Sequence, residues 1–308
     1  MAMFLALVWM TLMWISPFKA EIIYITGLYP MKNNTSGHVE GDGVLPAVNL
    51  ALYDINKEQQ ILPENVLVIR REDTQCKMSV GMKAFFESLG SGPPKFMIFG
   101  GACESVTTPI AASVHFWNIV QLSYADTTPR PRQKKGSEDI DLYPNYFCTV
   151  PSETDIGAAR IKLFQRFNWT KAATIHQNLP RFSLAQATQV NLAVERGINI
   201  TEKADFAYDP LEAVQKINSS RARIIMGFFD EDMARKVFCH VYEQKLYGPT
   251  YVWLLPGWYS PRWWQVPDNS TTCTPDQLYA ALKGYIGTDI LPLSTRSEKT
   301  ISGWVSTM

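Results

Sequence analysis

The segment Gly100-Gly101-Ala102-Cys103-Glu104-Ser105-Val106-Thr107-Thr108-Pro109 directly follows the apolar run Lys95 to Phe99. A buried strand that runs into glycines and then into a Ser/Thr-rich helix start makes a nest of backbone N–H groups. Such a nest attracts a carboxylate or a phosphate. Glu104 places a fixed negative charge in the middle of it, so the same residues also fit a site that has been closed. Elsewhere the chemistry-bearing residues do not assemble. His38, His115, His176 and His240 belong to no His-Glu-x-x-His motif, and there is no Gly-x-Ser-x-Gly elbow or phosphate-binding Walker loop. Asp73 and Asp126 follow strands, where catalytic carboxylates often sit, but neither has a matched acid–base partner. Enzymatic chemistry, a metal and a cofactor are therefore not expected. The aromatic stretch Trp253 to Trp264 reads either as structural filler of a lobe and its rim or as the wall of a cleft.

The elements that must position these residues follow a regular order. Strand-like runs at Ile22–Leu28, Val66–Arg70, Phe96–Phe99 and Ile119–Tyr124 alternate with helical patterns at Leu45–Ile55, Val80–Leu89 and Pro109–Trp117. Thr108 and Pro109 read as the N-cap and first turn of the last of these helices. After Pro151 the alternation begins again. Helical patterns at Thr154–Phe167, Ser183–Glu195, Leu211–Ile217 and Asp232–Leu246 intersperse with strands at Ala172–Ile175, Ile198–Phe206, Ala222–Phe228 and Thr250–Leu255. In the first of these helices Ile156, Leu163, Phe164 and Phe167 share a face. Repeated β-then-α order implies parallel sheets flanked by helices, here in two lobes joined near Pro151. Ligands of such folds bind at the carboxyl ends of strands, where Gly100–Ser105 and Ser123–Thr127 lie. The polar run Arg130–Pro144 breaks the order and reads as a solvated loop.

Formal net charge is zero, so no global basic field holds nucleic acid. Residues 4–15 are uncharged and largely apolar; that run is too short for a span of about 20 residues and fits a signal peptide over residues 1–20, cleaved after Ala20. Asn-x-Ser/Thr acceptors at Asn33, Asn34, Asn168, Asn199, Asn218 and Asn269 agree with the secretory route. Cys76, Cys103, Cys148, Cys239 and Cys273 then read as two disulfides and one leftover thiol, with the pairing open. Cys76 and Cys103 each follow a strand, so neighbouring strand ends can bring them together.

Four blocks carry a family resemblance: LSYADTTP (Leu122 to Pro129), ARKVFCHVYEQKLYG (Ala234 to Gly248), WLLPGWYSPRWW (Trp253 to Trp264) and GYIGTDILPLS (Gly284 to Ser294). They resemble the extracellular Venus-flytrap domain of GABA type B receptors, class C G-protein-coupled receptors. The blocks GDGVLPAVNLAL and CKMSVGMKAFF look more like the second subunit type than the GABA-binding first. The resemblance implies an α/β, bilobed, periplasmic-binding-protein-like (type I) fold with two parallel-sheet lobes. It divides the chain into signal peptide 1–20, lobe 1 at 21–151, lobe 2 at 152–287 and the start of a crossover back to lobe 1 at 288–308. The family's flytrap and its seven membrane helices continue beyond that point, so the fold is expected to be incomplete at the C-terminus. No cofactor is implied.

In the family the first subunit type holds GABA between the lobes, whereas the second binds none and pairs with the first through lobe 1. Carried over, the serine that holds the ligand carboxylate becomes Glu104, a histidine becomes Val150, and a lobe-2 tyrosine becomes Asp230. Ala125, Thr127 and Trp258 are kept. This pattern implies a vestigial cleft that does not take GABA. The resemblance further implies disulfides Cys76–Cys103 and Cys239–Cys273, with Cys148 unpaired, and a partner contact at Phe86 with Met82 and Ile110 beside it. The function expected is a receptor module that works by heterodimerising with the first subunit type. The alternative is a soluble amino-acid carrier or decoy of the periplasmic-binding type.

Overall fold

The computed structural model describes residues 21–31, 43–58, 60–130, 133–135, 138–268, 270–290 and 299, with backbone only for 133–135 and 138–140. The expected leader, Asn33, Asn34, Asn269 and nearly all of the crossover at 288–308 lie outside the described residues.

The described chain forms two compact units. Of the described residues, the first, lobe 1, holds those up to Leu122 together with Asn145–Phe147 and Lys299; the second, lobe 2, holds those of Ser123–Pro144 and from Cys148 to Ile290. In lobe 1, β1 (Ile22–Tyr29), α1 (Val44–Lys57), β2 (Val66–Asp73), α2 (Met78–Gly90), β3 (Lys95–Gly100), α3 (Glu104–Ala111) and β4 (Val120–Ser123) follow in turn. With β7 (Tyr146–Cys148) the strands form a five-stranded sheet in the order β2-β1-β3-β4-β7, and β1 pairs in parallel with both β2 and β3. β1 becomes fully buried toward its carboxyl end, so its residues read as a continuous apolar run. Leu28, Phe85, Ile98, Val106, Ile110 and Val114 form the core beneath α2 and α3.

Lobe 2 repeats the plan with α4 (Glu153–Arg166), β8 (Lys171–Gln177), α5 (Pro180–Glu195), β9 (Asn199–Phe206), α6 (Leu211–Ser220), β10 (Ile224–Phe228), α7 (Glu231–Glu243), β11 (Val252–Pro256), α8 (Pro275–Leu282) and β12 (Ile286–Thr288). The sheet order is β12-β11-β10-β8-β9, and its pairings are parallel. All five residues of β10 are buried, as a central strand covered on both faces requires. The two parallel five-stranded lobes bear out the α/β, bilobed class read from the sequence.

Three local expectations are corrected. The helix expected to start at Thr108–Pro109 begins earlier, at Glu104, and Pro109 lies inside it. Gly100 and Gly101 take φ of 110° and 76°, turning the chain so sharply out of β3 that Cys103 is already the N-cap. A side chain at Gly100 would meet the Leu28 carbonyl oxygen at 2.2 Å, so only glycine fits there. Phe167 does not share the buried face of Ile156 and Phe164; α4 ends at Arg166 and Phe167 is its C-cap. The polar run after Arg130 is not an irregular loop throughout: β5 (Gln133–Lys135) pairs antiparallel with β6 (Glu138–Ile140), setting Lys134 opposite Asp139. Among the described residues no helix is long and apolar enough to cross a membrane.

Candidate functional site

In lobe 1 the turn after β3 is fixed by two covalent and hydrogen-bonded anchors. Cys103 is joined to Cys76, and the Ser105 hydroxyl donates to the Cys76 carbonyl at 3.1 Å. The Cys103 carbonyl accepts from the Val106 and Thr107 N–H groups and from the Thr107 hydroxyl at 2.9 Å. Glu104 is the first residue of α3 and is half-buried. Its carboxylate sits at the helix end that favours negative charge and accepts from the Thr108 hydroxyl at 3.5 Å. The first turn of α3 thus carries one acidic side chain, Glu104, on the Thr108 side of the helix start.

The loop after β4 is built around Asp126. Its buried carboxylate pairs with Arg130 at 2.5 Å and accepts from the Thr128 N–H at 2.9 Å, while its N–H donates to the Ser123 hydroxyl. Asp126 thus braces the loop that presents Ala125 and Thr127. Asp73 likewise accepts from the N–H groups of Met31 and Gln75, a turn-forming role. Cys148 is the free cysteine among the described residues, and its thiol donates to the Asp126 carbonyl at 3.3 Å. Val150 is half-buried just beyond β7.

At the carboxyl ends of the lobe-2 strands the structure brings Asp230 and Trp258 together through a residue that sequence reasoning missed. Arg181, in the first turn of α5 after Pro180, pairs with Asp230 at 2.5 Å and lies 5.2 Å over the Trp258 ring. Asp230 is the N-cap of α7, and its N–H donates to Gln177 Oε1 at 3.0 Å. Tyr259 packs edge-on against Trp258 and donates its buried hydroxyl to the Phe229 carbonyl at 2.6 Å. Burial, with Asp230 next in weight, drives the Tyr259 phenol well above its ordinary range, so it remains a donor.

Thr127 faces a second polar group. Its hydroxyl donates to Glu153 Oε1 at 3.5 Å, and the Glu153 N–H donates to the Thr127 carbonyl at 2.8 Å. Behind them lies Arg160, fully buried, with Nε on the Thr288 hydroxyl at 2.8 Å and its guanidinium 5.0 Å over the Phe228 ring. Burial raises the Glu153 carboxyl above its ordinary value, although Arg160, Arg181 and Thr127 pull it down. A raised carboxyl pKa means that the folded state prefers the protonated form. The associated stability is complete below the unfolded value near 4.3 and is lost as pH rises through the folded value. Glu153→Gln is therefore expected to gain stability relative to the parent between pH 4 and pH 7. Urea midpoints at the two pH values check this, and a variant that loses ground at pH 7 contradicts it.

The residues expected at a partner surface separate. Ile110 is fully buried in the lobe-1 core and is not available to a partner. Met82 packs half-buried on that core. Phe86, by contrast, is 50% exposed while its neighbour Phe85 is buried. Phe86 stands edge-on to Trp117, itself 45% exposed, at 6.1 Å. With Phe96, Leu89 and Pro94 these rings line an open groove of about 640 Å³. Trp117 and Phe96 carried no signal in sequence beyond being aromatic near loops.

With that geometry in view, residues 43–300 match the model of the receptor family ligand binding region. The chain is 42% identical over 282 residues to gamma-aminobutyric acid type B receptor subunit 2 of Homo sapiens, covering 91% of this chain and 29% of that protein. It is 36% identical over 288 residues to subunit 1 of Mus musculus, covering 94% and 29%. Against subunit 2 of Caenorhabditis elegans it is 34% identical over 252 residues, covering 80% and 29%. The chain thus spans under a third of the length of these relatives. The match bears out the resemblance read from the sequence blocks, and the chain belongs to the receptor family ligand binding region.

Proposed function

We propose that this chain is the extracellular ligand-binding-domain-like module of a GABA type B receptor subunit of the second type. On this reading it does not itself bind GABA and pairs through lobe 1 with a subunit of the first type to support G-protein-coupled signalling. The observation that carries it is the half-buried carboxylate of Glu104 in the first turn of α3. Like-charge repulsion against an incoming carboxylate grows as water is excluded. The higher identity to subunit 2 of Homo sapiens, 42%, than to subunit 1 of Mus musculus, 36%, supports the same assignment. Lobe 2 adds to it: Arg181 already neutralises Asp230 and covers Trp258, leaving that ring less open to another cation. Titration of the chain with GABA tests the reading, with no saturable heat as the expected result.

Localisation follows from the same reading. The leader at residues 1–20 routes the chain into the secretory pathway, and the module faces the extracellular side of the plasma membrane. The disulfides Cys76–Cys103 and Cys239–Cys273 fit that oxidising route.

For the pairing surface we assign Phe86 with Trp117, since exposed aromatics packed around a groove are the usual anchors of interfaces. Phe86→Asp is expected to weaken binding to a first-type ectodomain by about 10–100-fold, with the fold unchanged. Surface plasmon resonance against the immobilised first-type ectodomain reads this. Unchanged affinity moves the interface elsewhere.

A further inference from the structure

We infer that Asn168 carries an N-linked glycan and that the end of α4 provides an aromatic shelf for its first sugar. The inference rests on the secretory reading above. The acceptor Asn168-Trp169-Thr170 lies where α4 gives way to β8. The helix ends in a Schellman motif: the Trp169 N–H donates to the Phe164 carbonyl at 2.9 Å and the Asn168 N–H to the Gln165 carbonyl at 3.4 Å. Asn168 takes the left-handed position of that motif, with φ of 54°. Glycine is the cheapest residue there and asparagine the next best, so the acceptor costs the fold little.

Both Asn168 and Thr170 are exposed, so the fold leaves room for a bulky substituent. The flanking rings are what set this acceptor apart. Phe167, 55% exposed, stacks on Trp169 at 4.9 Å and 24°. Trp169 is in turn held edge-on at 5.6 Å by the buried Phe164. An exposed ring, Phe167, stacked on a half-buried ring, Trp169, that is anchored on the lobe-2 core therefore flanks the asparagine in the chain. The electron-rich faces of such rings attract the weakly positive C–H groups along one face of a pyranose, and the contact also removes apolar ring surface from water. Among the described residues, the other two acceptors, Asn199 and Asn218, have no flanking aromatic pair. Asn199 opens β9 with its N–H committed to the Thr170 carbonyl, and the carboxamide of Asn218, in α6, donates to Gln244, the C-cap of α7, at 3.4 Å.

The transfer balances without oxidant or reductant. The Asn168 side-chain nitrogen forms a bond to the anomeric carbon of the N-acetylglucosamine end of a polyprenyl-diphosphate-linked oligosaccharide. The bond from that carbon to the diphosphate oxygen breaks, the polyprenyl diphosphate leaves with the electron pair, and the amide gives up one proton to the transferase.

The experiment expresses the full chain in a secreting eukaryotic host, releases N-glycans enzymatically in heavy-oxygen water and maps the label by mass spectrometry. Asn168 is expected to carry label in most molecules and to lose it in Thr170→Ala. Abolishing the glycan this way should lower the melting temperature by about 2–4 °C, and by far less in a Phe167→Ala background. Label at other acceptors with none at Asn168 overturns the inference and leaves the secretory reading standing. No label at any acceptor overturns both, and an equal temperature loss in the two backgrounds overturns the shelf.

Discussion

Trp263→Ala is expected to destabilise lobe 2 by about 3–5 kcal/mol. Trp263 is 1% exposed and is ringed by Phe238, Tyr259 and Trp264 in near edge-on contacts at 6.1, 5.3 and 6.0 Å. Its carbonyl accepts from Arg235, whose buried guanidinium also pairs with Glu231 at 3.5 Å and Asp268 at 3.2 Å. Truncation therefore opens a large cavity where the surrounding groups are tied in place and collapse poorly. Trp263 Nε1 has no hydrogen-bond acceptor among the described residues. Trp263→Phe consequently removes an orphaned donor along with ring volume, and its cost should stay below that of the alanine change. Urea unfolding with an unchanged slope reads both variants. An alanine variant within about 0.5 kcal/mol of the parent contradicts this placement.

The second large effect concerns Cys239–Cys273, which closes a loop of 34 residues between α7 and the start of α8. On the chain-entropy argument the cross-link contributes about 4 kcal/mol by restricting the unfolded chain. Cys239 is itself buried in the lobe-2 core, so alanine there also removes packing. Cys239→Ala/Cys273→Ala is expected to lower the melting temperature of lobe 2 by about 8–16 °C. Differential scanning calorimetry of the double variant measures this. Superimposable melts of parent and variant contradict it.

Much of the fold was legible because parallel strands buried on both faces leave continuous apolar runs; Ile224–Phe228 is the clearest. The aromatic stretch Trp253–Trp264 was legible as important but not as to role, since composition cannot distinguish Trp263 in the core from half-buried Trp258 beside Arg181. The start of α3 was misplaced because the positive φ of Gly100 and Gly101, not the Thr-Pro pair, sets where the chain turns. Arg181 was invisible because its partner Asp230 is 49 residues away and is brought near only by the sheet order. Arg160 did leave a signal that went unread: it lies four residues from both Ile156 and Phe164, on the apolar face of α4. A charge in that stripe implies a buried partner, and Glu153 is the acidic group nearest to it in charge interaction. Ile110 was placed at a partner surface by the family resemblance alone, which does not show whether its helix face is covered by its own lobe; here that face is buried.

A fixed negative charge, Glu104, stands in the first turn of α3, where an incoming carboxylate would meet like-charge repulsion. Isothermal titration of the purified chain with GABA tests this most directly. No saturable heat is expected up to millimolar ligand. Saturable binding at micromolar concentration contradicts it, the more decisively if Glu104→Gln then loses that binding.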